Sequence, residues 1–115
     1  MRGVRPNRLC VDSSGRMWAA TESGVFSHDG TNWQSYRAQH GLPEAPIVCI
    51  ATGPDGAVWA GSEDQGLYRL DAGAASFVRV NAFNRDFDAV RSLYQDLEGN
   101  LWIGTRSAGL TCLRP

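Results

Sequence analysis

Apolar residues in this chain come in short runs of four to six, broken by small polar clusters that contain glycine, and nowhere do they recur at the three- and four-residue spacing of a helix face. The runs at 8–11, 47–52 and 90–95 are rich in the β-branched and aliphatic residues that suit strands. Each is followed by a polar cluster ending in Gly15, Gly56 or Gly99, the composition of a tight turn. Second strands are predicted over 16–21, 58–62 and 101–105, then a second turn, then third strands beginning at Val25, Leu67 and Leu110. Fourth runs, from Asn32 and Ser76, alternate aromatic or aliphatic with polar residues.

The pattern is a repeat. Trp18, Trp59 and Trp102 are 41 and 43 residues apart, and Gly24, Gly66 and Gly109 follow at 42 and 43. Four short antiparallel strands in a unit of about 40 to 45 residues describe a propeller blade. The expected fold is all-β: a β-propeller fragment of about three consecutive four-stranded antiparallel blades, at approximately 8–45, 46–87 and 88–115, the last lacking its outer strand. A tryptophan in the second strand fills the wedge between neighbouring sheets, and the small residues after it (Ala19 and Ala20, Ala60 and Gly61, Gly104) let the next sheet approach. Closed propellers have at least about four blades. Three therefore call for further blades of a parent chain, or for a second copy pairing at the open edges.

The formal net charge is −1, with 43% hydrophobic and 20% charged residues, which argues against disorder and against a nucleic-acid partner. All eleven basic residues are arginine, scattered along the chain. Cys10, Cys49 and Cys112 are odd in number, lack metal or redox spacing, and lie in strand-like runs where cysteine behaves as a small hydrophobe. No stretch has the length of a membrane span, and the first ten residues lack the apolar core of a signal peptide.

Catalytic and metal motifs are weak. The Asp-x-x-Gly turns lack the distal glutamate of a calcium loop, GxSxG and HExxH are absent, and the two histidines, His28 and His40, have no carboxylate at ligand spacing. No metal, cofactor or catalytic residue is expected. A binding face would come from the turns after the second strands and from the connections between blades, which emerge together at one end of a propeller. That gives Glu22, Asp64, Gln65 and Arg106, with His40, Glu44, Arg85, Asp86, Asp88 and Arg91. Arginines and carboxylates in one rim can hold hydroxyl-rich ligands by charge-assisted bonds.

The stretches from Tyr94 to Leu110, from Gly53 to Asp71 and from Val11 to Asp29 resemble the two-component regulator propeller repeat, whose pattern runs apolar strand, Asp-x-x-Gly, apolar-Trp-Ile-Gly-Thr, then Gly-Leu-Tyr-Arg. The segment from Gln39 to Ile50 is similar to that family's connection between blades. Departures are Ala19 and Ala20 for Ile-Gly in the first copy, Gly53 for the strand-end Asp in the second, and Thr111 and Cys112 for Tyr-Arg in the third. The resemblance implies a non-catalytic input module of a membrane-anchored, two-component histidine kinase, periplasmic or extracytoplasmic, often a sensor of glycans. Membrane contact would come only through parts of a parent protein outside this chain. Two alternatives stay open: part of a propeller enzyme, a lyase or glycan-cleaving protein in which His40 would be the general base, and a repeat scaffold for protein assembly.

Overall fold

The computed structural model describes residues 6–63, 65–82, 85–86, 90–106 and 109–114. Apart from one 3-10 turn at Ala38–His40, the regular elements are strands, grouped in three antiparallel sheets. The first contains β1 (Pro6–Val11), β2 (Met17–Thr21), β3 (Gly24–His28) and β4 (Trp33–Tyr36), hydrogen-bonded in that order. The second contains β5 (Ile47–Thr52), β6 (Val58–Ser62), β7 (Leu67–Leu70), β8 (Val78–Ala82) and a two-residue β9 (Arg85–Asp86). The third contains β10 (Val90–Gln95), β11 (Leu101–Thr105) and β12 (Gly109–Leu113). The expected blades are present, and the last has three strands. β9, which adds to the edge of the second sheet, was not foreseen.

The turns form for local reasons that repeat. Asp12 Oδ1 accepts from the N–H groups of Ser14 and Arg16 at 3.0 and 2.9 Å, and Asp96 Oδ1 does the same for Glu98 and Asn100 at 3.0 and 2.9 Å. Each carboxylate thus takes up the turn's free donors. After the second strand a hydroxyl does comparable work: Thr21 Oγ1 donates to the carbonyl of Gly24 (2.9 Å) and Thr105 Oγ1 to that of Gly109 (3.1 Å). Gly24 itself has φ +127°, and a Cβ there would strike the carbonyl of Tyr36, so this position requires glycine.

Two apolar clusters join the sheets. Trp18, Val25 and Tyr36 of the first sheet pack on Ile50, Val58, Tyr68 and Phe77 of the second, with the Tyr36 and Phe77 rings edge to face at 5.6 Å. Trp59 and Leu67 of the second sheet pack on Leu93, Leu101 and Ile103 of the third. The tryptophan wedge is therefore real at both junctions: Trp18 is 5% exposed and Trp59 4%. Trp102, at the same register, is 39% exposed, because among the described residues no further sheet lies against it. The Arg69 guanidinium lies over the Trp59 ring, 5.1 Å from its centre, with Nε 2.7 Å from Asp71 Oδ1, an ion-pair contact more than an aligned hydrogen bond.

Candidate ligand-facing rim

Each inner strand begins with an irregularity at the same place. Pairing with the neighbouring strand shifts between Pro6 and Arg8, between Ile47 and Cys49, and between Val90 and Ser92. A bulge leaves its extra residue unpaired and re-aims the side chain. The residues so released are Asn7, Val48 and Arg91. All three line one groove of about 370 Å³, together with Glu22, Pro46, Glu63 and Val90. Asn7 Nδ2 donates to the carbonyl of Ile47 at 2.9 Å, tying the start of β1 to the start of β5.

Two of the ten rim residues expected from the sequence, Glu22 and Arg91, meet in this groove. Glu22 also borders a second hollow of about 340 Å³ between the β2–β3 turn and the connection into β5, where Glu44 is found. Gln65 and Arg106 are exposed on their own turns, with the Gln65 N–H bound to Ser62 Oγ at 3.1 Å and its carbonyl accepting from the Tyr68 hydroxyl at 2.9 Å. Arg85 and Asp86 form β9, paired with Ala82 and Asn81; Asp64 and Asp88 lie outside the described residues.

His40 is placed away from the groove. Its Nδ1 accepts the N–H of Arg37 at 3.0 Å, its ring meets the edge of Tyr36 at 5.7 Å, and its carbonyl accepts the N–H of Phe77 at 2.7 Å. These bonds make it a pin between the first and second sheets. His28 is similarly engaged, Nδ1 accepting from Gly30 at 3.2 Å and the ring lying 4.4 Å from that of Trp33.

Asn7 and Glu63 belong to the groove and were missed from the sequence. Glu63 directly precedes the expected Asp64 and Gln65 in the sequence. Asn7 depends on the bulge, which arises from strand pairing and leaves no local composition signal. Chemically, the groove sets two carboxylates, one guanidinium and one amide against the apolar flanks of Val48 and Val90. That donor and acceptor mixture suits hydroxyl groups on a ligand with a partly apolar face. Among the described residues no three His, Cys, Asp or Glu side chains gather as a metal would require.

The family model described as "Two component regulator propeller" matches residues 84–107. Over that stretch the third copy is similar to the two-component regulator propeller repeat. The match takes in β10, β11 and the turn between them, and the other two copies follow the same strand register. No curated protein sequence matches the chain significantly. Among solved structures, the extracellular domain of BT3049, assigned to a hybrid two component system of B. thetaiotaomicron, superposes with a TM-score of 0.79 at 23% identity, over 96% of this chain and 16% of that one. PorZ, a bacterial surface component of the type-IX secretion system of Porphyromonas gingivalis, gives 0.76 at 19%, over 95% and 18%. Virginiamycin B lyase from Staphylococcus aureus gives 0.73 at 15%, over 100% and 43%. These likenesses establish a propeller segment. The chain spans less than half the length of each of these proteins. Among the described residues no helix is long and apolar enough to cross a membrane.

Proposed function

We propose that this chain is a non-catalytic, ligand-sensing segment of an extracytoplasmic propeller receptor of the two-component type, and that it takes a hydroxyl-rich ligand such as an oligosaccharide in the Asn7–Glu22–Glu63–Arg91 groove. The observation that carries the reading is convergence: bulges repeated in three sheets, together with turns after second strands, deliver polar side chains from all three sheets to one place. A ligand held there touches several blades at once. Its binding energy would therefore differ between two arrangements of the blades, the requirement for a population shift that a signalling domain elsewhere can read. Similarity of the third copy to the two-component regulator propeller repeat supports the receptor assignment.

The test is calorimetry of the chain against an oligosaccharide panel, with Arg91→Ala and Glu22→Gln as paired variants. Binding to at least one sugar, reduced tenfold or more by either substitution with the β-sheet spectrum unchanged, is the expected result. Binding that both substitutions leave untouched would remove the groove from the account, and no binding at all would remove the glycan.

A further inference from the structure

The Asn7–Glu22–Glu63–Arg91 groove does not stand alone on the rim. Glu22 lies between it and the hollow of about 340 Å³ at the connection into β5, and lines both. The opposite wall is continuous as well: Pro43, Glu44 and Ala45 border the hollow and Pro46 and Val48 the groove, so one segment runs along the two. Hollow and groove are compartments of a single trough.

Both walls are set by bonds within the chain. Glu22 sits in the β2–β3 turn, where Thr21 Oγ1 accepts the Ser23 N–H at 3.1 Å and donates to the Gly24 carbonyl at 2.9 Å. Across the hollow, the Arg37 carbonyl accepts from the N–H groups of His40 and Leu42 at 2.8 and 3.3 Å, and the His40 carbonyl accepts from Phe77 at 2.7 Å, which ties the connection to the second sheet. The Arg37 guanidinium lies over the Phe26 ring, 5.4 Å from its centre. Walls already in place spare a ligand the cost of ordering them.

Among the described residues, Glu22, Glu44 and Glu63 line the trough against two guanidiniums, Arg37 and Arg91. Carboxylates accept from hydroxyls and guanidiniums donate to them, whereas an anionic group on the ligand would meet the surplus of like charge. We propose that the trough takes a neutral, linear oligosaccharide of at least two units, one in each compartment, with Glu22 accepting hydroxyls from both. This rests on the groove reading and adds to it a selectivity for length and charge. A single sugar occupies one compartment; linking a second makes the next contact intramolecular, so affinity climbs with length until both are filled.

Calorimetry of the full chain with cello-, xylo- and manno-oligosaccharides of one to six units, and with oligogalacturonides of the same lengths, tests this. In at least one neutral series Kd should fall tenfold or more from monosaccharide to trisaccharide and then level off, and the oligogalacturonides should bind at least tenfold more weakly than that series. The variant carrying both Gln39→Ala and Glu44→Ala, two exposed positions of the hollow, should bind the trisaccharide no better than the monosaccharide. Affinity independent of length, a length gain that survives this variant, or oligogalacturonides that bind as tightly would each overturn the two-compartment trough. If Arg91→Ala still weakens the monosaccharide in those cases, the groove reading stands without it. No binding in any series would overturn both.

Discussion

The indole Nε1 of Trp59 donates a 3.0 Å hydrogen bond to Oε1 of Gln95, a residue of the next sheet. In the first and third copies the equivalent indoles turn to their own strand-end aspartates, Trp18 to Asp12 at 2.9 Å and Trp102 to Asp96 at 3.3 Å. The second copy has Gly53 at that position, and a Cβ on Gly53 would collide with the Gln95 carboxamide. Gln95 also donates from Nε2 to the carbonyl of Gly99 at 3.1 Å. Where the second copy has glycine in place of aspartate, the indole thus bridges two blades instead.

Removing that bridge leaves a nearly buried indole N–H without an acceptor. Gln95→Ala should destabilise the chain by about 1–3 kcal/mol. Gly53→Asp alone should also destabilise, by collision with Gln95. The double variant should be more stable than the sum of the singles, since the new aspartate can take the indole as Asp12 and Asp96 do. Chemical denaturation of the four proteins in a double-mutant cycle checks this. Additive effects would mean that the two positions are independent.

Much of the fold was legible because the repeat writes one strand pattern three times: the positions of the second strands, the glycine turns and the tryptophan wedge all follow from registered copies. Gly53 was visible as a departure, but its consequence was not, because Gln95 lies in the next copy and no spacing within a copy points to it. The groove was half legible for a similar reason. Glu22 and Arg91 follow from the rule that turns and connections share one end, whereas Asn7 enters through a bulge set by pairing between β1 and β2. His40, in a connection that reads as an exposed loop, is held instead by backbone bonds to Arg37 and Phe77.

Gly61 shows how closely the second and third sheets approach. A Cβ there would lie 2.5 Å from both Cys49 Sγ and Val90 Cγ1, within the cluster that holds the two sheets together. Gly61→Ala should therefore cost about 1–3 kcal/mol through overpacking. Adding Val90→Ala should recover part of the loss by returning volume. Thermal unfolding followed by circular dichroism reads both effects, and an unchanged midpoint in Gly61→Ala would mean that the junction has slack.

Two of the three thiols should be chemically quiet. Burial pushes Cys49 up to about 12 and Cys10 up to about 11, so the thiolate that attacks alkylating reagents is scarce near neutral pH. Iodoacetamide at pH 8 should leave Cys10 and Cys49 unlabelled in the folded chain and label them once the chain is unfolded. Peptide mass spectrometry distinguishes the sites. Rapid native labelling of Cys49 would mean that the second and third sheets separate readily.

Acid should loosen the turns in a defined direction. Desolvation opposes ionisation of Asp12, but the bonds from the Trp18 indole, the Ser14 hydroxyl and the N–H groups of Arg16 and Ser14 outweigh it and hold the carboxyl below its ordinary range. Asp96 is lowered in the same way: desolvation is the largest single influence, and the bonds from Asn100, Trp102 and Glu98 together exceed it. In the unfolded chain an aspartate titrates near about 3.9. The folded chain therefore binds fewer protons there, and the stability these bonds contribute is complete above that value. It is lost as pH falls through it toward the depressed folded values. Asp12→Asn keeps the oxygen that accepts the turn's N–H groups but puts an amide nitrogen, which cannot accept, where Oδ2 takes the indole. It should lower stability by about 1 kcal/mol near neutral pH, a figure kept small because the site is partly solvated. Its melting temperature should then fall less steeply than the native chain's between pH 5 and pH 2, a window of about three units around the unfolded value. Parallel melting curves across that range would show that Asp12 gains nothing from its turn.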